Sequence, residues 1–309
     1  MSDFTVRPFR RDDRDQVTDL VNAHVAATVP GLSVSVNAVL GQLARDPAEF
    51  VVDPWVVERS TLVAEQRGRV VAAAHLLRYG SDETVGPAYR NVGEVCWLVY
   101  WPVSPDGPAA RFIPDCVPAA EALLTACLAQ FARWRVGSVT AGGDLPAPTF
   151  CGVPDQWPHI ADLYERAGFR HTRTEFLLLA DVADLPAPTP DVALGRKVRR
   201  SVGINGTRLT VDEAGYIEID TNLHGTGRFT PHAAWADIGN LHVTDPALDY
   251  ETTATALVAH AADWLRLARV DRLLAYSGPD PDDAAELRLL TALGFRVLTR
   301  NRCGWVRRS

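Results

Sequence analysis

Lysine is almost missing from this chain: of 31 basic residues only Lys197 is a lysine, and arginine supplies the rest. With abundant Ala, Val, Leu and Asp, that bias marks a GC-rich genome and bears on origin, not on function. An excess of positive charge is missing too. Against 38 acidic residues it leaves a formal net charge of -7 and a pI near 5.6, which argues against a protein that binds nucleic acid through its whole surface. Cysteine is sparse. Cys96, Cys116, Cys127, Cys151 and Cys303 are odd in number, widely spaced and free of any CxxC pair, so neither a disulfide framework nor a zinc site is expected, and no metal is called for. Long apolar runs are absent as well. None reaches the roughly 18 to 20 residues of a membrane span, and the polar, charged start from Met1 to Asp13 has no signal-peptide core. The expectation is a cytoplasmic protein without membrane or nucleic-acid partners, either monomeric or a homodimer.

What is present is enough apolar material for two cores. At 309 residues and 47% hydrophobic content, two domains is the starting expectation. Phe4 to Pro8 alternates like a strand, and Val17, Leu20, Val21 and Val25 recur at helical spacing. Val36, Val39, Leu40 and Leu43 mark a second helix. Thr61 to Glu65 and Arg69 to Tyr79 form a hairpin around Gln66-Arg67-Gly68. A strong strand follows from Val92 to Trp101, then a long helix from Ala119 to Val136 and a strand from Val139 to Ala141. A helix from about Pro158 to Ala167, the turn Gly168-Phe169 and a strand from Glu175 to Leu179 complete the set.

Asp184 to Pro190 is rich in proline, which stiffens a chain and cannot join a central sheet. The expected division is a first module over residues 1–184, a linker over 185–191 and a second module over 192–309. The second repeats the order of the first: a hairpin (Thr207 to Val211, Tyr216 to Ile219), a strand (Ala236 to Val243), a long helix (Thr253 to Ala268), a strand (Arg272 to Tyr276), a helix (Ala284 to Ala292), Gly294-Phe295 and a last strand. The offset is 147 from Gly68 to Gly215, 143 from Glu94 to Asp237 and 126 from Gly168 to Gly294. Drifting offsets indicate a duplicated unit with loop insertions, since a solenoid holds one short period. Asp191 to Gly206 is too short to hold a second copy of the first two helices.

This order resembles the GNAT acetyltransferase superfamily, in two copies. The strongest pieces are Ile160 to Arg170, similar to the family's fourth helix and the turn after it, and Ala236 to Pro246, similar to its fourth strand. Mycothiol synthase is similar in being a tandem GNAT protein. The resemblance implies an α/β (α+β) fold of two modules, each a mixed, mainly antiparallel twisted sheet flanked by helices, with the C-terminal module lacking the first two helices. It also implies acetyl-CoA as co-substrate, its pantetheine arm beside Leu98, Val99 and Tyr100 in one module and His242 and Val243 in the other. The diphosphate would meet backbone amides of Ala119 and Ala120, or of Thr252, Thr253 and Ala254, because unpaired amides and the helix dipole favour an anion. Both loops depart from the family's Q/R-x-x-G-x-G/A pattern. Asp249 stands at the Q/R position and Thr252 at the first glycine; in the first module, reading from Asp115, Pro118 stands at the strict glycine. A carboxylate repels a diphosphate, and proline removes a donor.

Acyl transfer to an amine needs a base for the ammonium, donors for the oxyanion and an acid for the thiolate. By resemblance Glu94 is the base and Tyr164, four residues before Gly168, the acid; burial would raise the pKa of Glu94 towards neutrality. Asp237 is the corresponding base of the second module, whose position equivalent to Tyr164 is Leu290. Amides near Leu98 to Tyr100 would serve the oxyanion. Trp97, Tyr100 and Trp101 line either the core or the acceptor cleft, His159 is a further candidate base, and Cys151 a remote candidate nucleophile. Arg196 to Arg200 reads as a basic patch on a solvated strand. The implied activity is an acyl-CoA-dependent N-acyltransferase acting on an amine of a small molecule or peptide. The alternative is a GNAT-fold binding or regulatory protein that has lost catalysis.

Overall fold

The computed structural model describes residues 4–45, 55–101, 116–147, 150–188, 198–204, 206–211, 214–221, 234–244, 249–278 and 281–307. In chain order they form β1 (Phe4–Pro8), α1 (Arg14–Thr28), α2 (Val36–Leu43), β2 (Val56–Gln66), β3 (Arg69–Tyr79), β4 (Val92–Tyr100), α3 (Val117–Trp134), β5 (Ser138–Ala141), β6 (Val153–Pro154), α4 (Pro158–Arg166) and β7 (Phe169–Arg170). There follow β8 (Arg173–Asp181), β9 (Val198–Gly203), β10 (Gly206–Val211), β11 (Gly215–Asp220), β12 (Ala234–Val243), α5 (Tyr250–Leu267), β13 (Val270–Ser277), α6 (Pro281–Ala292), β14 (Arg296–Cys303) and β15 (Trp305–Arg307). No helix among the described residues is long and apolar enough to cross a membrane.

The chain forms two compact units, and the first is discontinuous: Met1–Arg173 with Asn301–Ser309, and then Thr174–Arg300. In the first, the sheet order is β1-β2-β3-β4-β5-β15-β7. The β2–β3 hairpin turns on Arg67 and Gly68, both at positive φ (52° and 77°), the twist that suits a two-residue connection. Helices α1 and α3 both lie on β3 and β4. From them Val17, Leu20, Val21, Val25, Leu123, Leu124, Cys127 and Phe131 are buried, as their helical spacing requires. Gly93 is a close-approach glycine, since a Cβ there would lie 2.5 Å from the Phe131 ring.

In the second unit the strand order is β14-β8-β13-β12-β11-β10-β9. Helix α5 lies on β10 to β13 around a core that includes Leu209, Ile217, Ile219, Ala236, Leu257, Val258, Leu265 and Leu273. Only α5 and α6 are helical among its described residues, so the first two helices of the other unit have no counterpart there. This is the shortened second module expected from the sequence.

Two strands differ from expectation. Residues 175–179, read as the last strand of the first module, lie in β8, which pairs antiparallel with β13 from Phe176 opposite Ser277 to Asp181 opposite Arg272. In the first unit the slot between β5 and β7 is held by β15, through Trp305 opposite Ala141 and Val306 opposite Arg170. The last strands of the two halves are thus exchanged. Periodicity could not reveal this, because a run such as Leu177 to Ala180, buried throughout, suits either sheet equally. Asp115, Pro190, Asp191, Arg196 and Lys197 lie outside the described residues.

Candidate functional site

Each unit contains one strand pair that starts parallel and then parts. In the first, β4 pairs with β5 from Val92 to Val95, and two further bonds, Gly142 N to Val95 O and Asp144 N to Cys96 O, end the contact. In the second, β12 pairs with β13 only from Ala234 to Asp237. A register shift sits just beyond each branch point and leaves Cys96 extra in β4 and Gly239 extra in β12. These bulges are 143 positions apart (239 less 96), the offset that also relates Glu94 to Asp237. The duplication therefore extends to an irregularity that a sheet does not acquire by chance at matching places.

The two branch points differ in access. In the first unit Trp97, Leu98, Val99 and Tyr100 are at most 1% exposed. The Tyr100 hydroxyl donates to the His159 carbonyl at 3.0 Å, and its ring meets the His159 ring edge-on at 4.8 Å. Trp157, also buried, donates from its indole to the His24 carbonyl and stacks on Phe150. The start of α4 thus covers the far end of β4, where Leu98 to Tyr100 are read from sequence as the pantetheine edge. Trp97 donates to Gln42 Oε1, and Gln42 in turn donates to the Asp144 carbonyl.

Glu94 is half-buried, and its Oε2 accepts the Tyr79 hydroxyl at 2.5 Å. Burial first, and the nearby carboxylate second, hold Tyr79 well above the usual phenol range. Glu94 borders a cavity of about 320 Å³ lined also by Tyr89, Thr140, Asp144, Cys151 and Arg173. Tyr164 is wholly buried between Phe169 and Trp305, and its hydroxyl donates to the Gly142 carbonyl at 3.0 Å, beside that cavity. Burial keeps it protonated at any ordinary pH. Sequence reading missed Tyr79, Gln42 and Asp144; each is recognisable only once the branch point has a location.

Buried His24 and half-buried His159 form a pair with Nε2 atoms 3.1 Å apart. Nδ1 of His24 faces the Leu20 carbonyl at 2.8 Å and must donate to it, so Nε2 of His24 accepts from Nε2–H of His159, a tautomer assigned from the partners. Burial, with the neighbouring imidazole second, lowers His24 to about 3; burial lowers His159 to about 4. His159 is thus well below the range of a base working near neutrality. The pair has a consequence for stability. An unfolded chain takes up these protons near pH 6.5 while the fold excludes them, so stability falls as pH drops from about 6.5 towards 4. A thermal midpoint series over that interval should show this acid limb, and His159→Gln should make it shallower while His24 remains; an identical limb in the variant would remove His159 from the account.

In the second unit the parted half of β12 is open. Ile238, Asn240, Leu241 and Val243 are half-buried, and Gly239 and His242 exposed. Asp237 stands at the branch point, opposite Asp220 of β11, and its Oδ1 is buried with no hydrogen-bond partner among the described residues. Burial, and secondarily the charge of Asp220, push its pKa up to about 7. That is the environment of a carboxyl able to take a proton near neutral pH. At the start of α5, the Asp249 carboxylate accepts from the amide (2.9 Å) and hydroxyl (2.5 Å) of Thr252. The departure from the glycine pattern therefore caps the helix with the protein's own anion.

Several amides assigned to the diphosphate are engaged. Ala120 donates to the Cys116 carbonyl, Thr253 to the Asp249 carbonyl, and Thr252 to the Asp249 side chain. The helices begin at Val117 and Tyr250, earlier than their apolar stripes suggest, so fourth-residue amides already close the first helical turn. Ala254 lies deeper still in α5. Ala119 is the third residue of α3, follows Pro118 and is 2% exposed; Cys116 gives that helix no side-chain cap.

No family model matches the chain, and no curated protein sequence does. Solved structures do. A GCN5-related glucosamine N-acetyltransferase region from a fungal multi-domain GH3 beta-N-acetylglucosaminidase is similar over 98% of this chain at 15% identity and TM-score 0.63; this chain spans 38% of that protein's chain. A tandem GNAT protein from the clavulanic acid biosynthesis pathway is similar over 98% of this chain and 97% of its own, at 16% identity and TM-score 0.62. A GCN5-related N-acetyltransferase from Sphaerobacter thermophilus is similar over 99% and 95%, at 14% identity and TM-score 0.62. The chain has the tandem GNAT fold. Identities this low speak to the fold alone.

Proposed function

We propose that this chain is an acyl-CoA-dependent N-acyltransferase, using acetyl-CoA to acylate an amine of a small molecule or peptide by direct transfer, and that transfer takes place in the Thr174–Arg300 unit. Asp237 carries this reading: a carboxyl raised to about 7, with an oxygen that has no partner among the described residues, where β12 leaves β13. The parted, partly exposed half of β12 offers a strand edge to the amides of a pantetheine arm, and Asp237 removes the proton that blocks an ammonium from attacking. The amine nitrogen then bonds to the thioester carbon, and the carbon–sulfur bond breaks. Leu290 supplies no hydroxyl, so the proton taken by Asp237 is the one at hand for the departing thiolate.

The diphosphate must compete with Asp249 for the start of α5. Asp249 is exposed, and its replacement frees one amide and removes one like charge. Asp249→Gly should therefore tighten acetyl-CoA binding about 5-fold in a calorimetric titration, the size of one charge at a helix end. Failure of both proteins to bind at millimolar ligand would remove the acyltransferase reading in favour of a binding or regulatory protein.

A second reading places the transfer in the first unit, with Glu94 as base and Tyr164 as acid. It is favoured by the cavity beside Glu94 and by the Tyr164 hydroxyl at Gly142. The buried edge from Leu98 to Tyr100 weighs against it.

A further inference from the structure

Two cysteines meet in the wall of the cavity that Glu94 borders. Cys151 is half-buried, Cys303 is 1% exposed, both line the cavity, and neither is in a disulfide. Their sulfur atoms lie within 4.8 Å of each other. The backbone explains this proximity. Val153 pairs with Arg302 and Pro154 with Asn301, so Gly152 falls opposite Cys303, and plain strand alternation would send residues 151 and 303 to opposite faces. Gly152 breaks the alternation with φ of +75°, and a Cβ there would lie 2.4 Å from the Cys303 sulfur. Glycine is thus what both the turn and the sulfur require. The Cys303 thiol donates weakly to the carbonyls of Cys151 and Asn301, each at 3.6 Å, which holds it beside residue 151.

We propose that Cys151 and Cys303 are a redox-responsive pair that closes to an intrachain disulfide when the protein meets a peroxide. The peroxide oxidises the accessible Cys151 thiol to a sulfenic acid, its O–O bond breaking and one water leaving. The Cys303 sulfur then attacks the Cys151 sulfur; the S–S bond forms, the S–O bond breaks, and the hydroxyl leaves as water with the thiol proton. Two sulfurs are oxidised and one peroxide is reduced. A separation below 4.8 Å closes to bonding distance by side-chain rotation together with a small backbone adjustment. Cys303 immediately precedes Gly304 and β15, the strand that completes the first unit's sheet. The bond therefore ties that strand to the loop ahead of α4 and replaces two thiols in the cavity wall.

The test is a thiol count and peptide map of the full chain after hydrogen peroxide, with alkylation under denaturing conditions. The expected result is three reactive thiols in place of the five cysteines, a single link between residues 151 and 303, and a mass lower by about 2 Da that dithiothreitol restores. Cys151→Ser, at the half-buried position, should keep all four remaining thiols; in Cys303→Ser the sulfenic acid at Cys151 should persist and be trapped by dimedone. Should Cys303→Ser fail to fold, the Cys151→Ser count decides. Five surviving thiols, at a dose that closes a reference dithiol, or a link through Cys96, Cys116 or Cys127, would overturn the proposal.

Discussion

Asp237→Asn is expected to lower turnover by about 100-fold or more, the lower end of what a positioned base contributes, while Glu94→Gln retains most of it. The amide has nearly the volume of the acid and cannot accept a proton from an ammonium. In the wild type, activity should rise with pH through about 7 as the Asp237 carboxyl ionises, and the variant's residual rate should lack that limb. A second readout has the opposite sign. Because the folded pKa of Asp237 lies above its unfolded value, its contribution to stability is present below about pH 4 and is lost as pH rises through about 7. Asp237→Asn should therefore be more stable than the wild type at pH 8, by roughly 2–4 kcal/mol from the size of the shift. Loss of rate together with a gain of stability at one residue would distinguish a working base from a structural carboxylate. An unchanged rate and pH profile in Asp237→Asn would sink the assignment, and loss of activity in Glu94→Gln instead would move the chemistry to the first unit.

Much of the fold could be read from the sequence because its signals are local. The hairpin at Arg67-Gly68, the helices of Val17 to Val25 and Leu123 to Phe131, and the repeat that relates Glu94 to Asp237 rest on turn chemistry, helical spacing and a recurring order of elements. What was hidden is long-range. β15 has three residues, too few to show a period, and its partners lie more than a hundred positions earlier. Tyr164 sits on a stripe with Ile160 and Leu163 that reads as core, but the carbonyl receiving its hydroxyl belongs to Gly142 in another element. Asp237 and Glu94 occupy matching positions and are both half-buried, so only their partners tell them apart: one oxygen of Asp237 has none among the described residues, whereas Glu94 accepts a tyrosine hydroxyl. The free amides of a helix start are hard to place from sequence because apolar spacing locates the middle of a helix, whereas the orphan amides belong to its first turn, which Ala120 and Thr253 already close.

Residues 1–184 expressed alone are expected not to fold cooperatively, although they contain every element of the first half of the sequence. Without β15 the strands β5 and β7 lose the neighbour they share. The fragment also opens the place of Trp305, which is fully buried against Tyr164 and His171 and donates from its indole to the Arg302 carbonyl. It carries Leu177 to Ala180 without β13, an apolar strand whose unpaired edge invites aggregation. Removing the tryptophan side chain alone, as Trp305→Ala in the full chain, should cost about 3–5 kcal/mol, comparable to the lower end of a domain's whole stability of about 5–15 kcal/mol. Residues 1–173 joined through a short Gly/Ser linker to residues 301–309 restore β15 and omit β8, and this chain should regain cooperative unfolding and near-UV circular dichroism. If 1–184 unfolds cooperatively at the temperature of the full protein, the strand exchange contributes nothing to the first unit. If only the relinked chain does, the unit that folds is the discontinuous one, and a fragment cut in sequence order cannot test which half carries the chemistry.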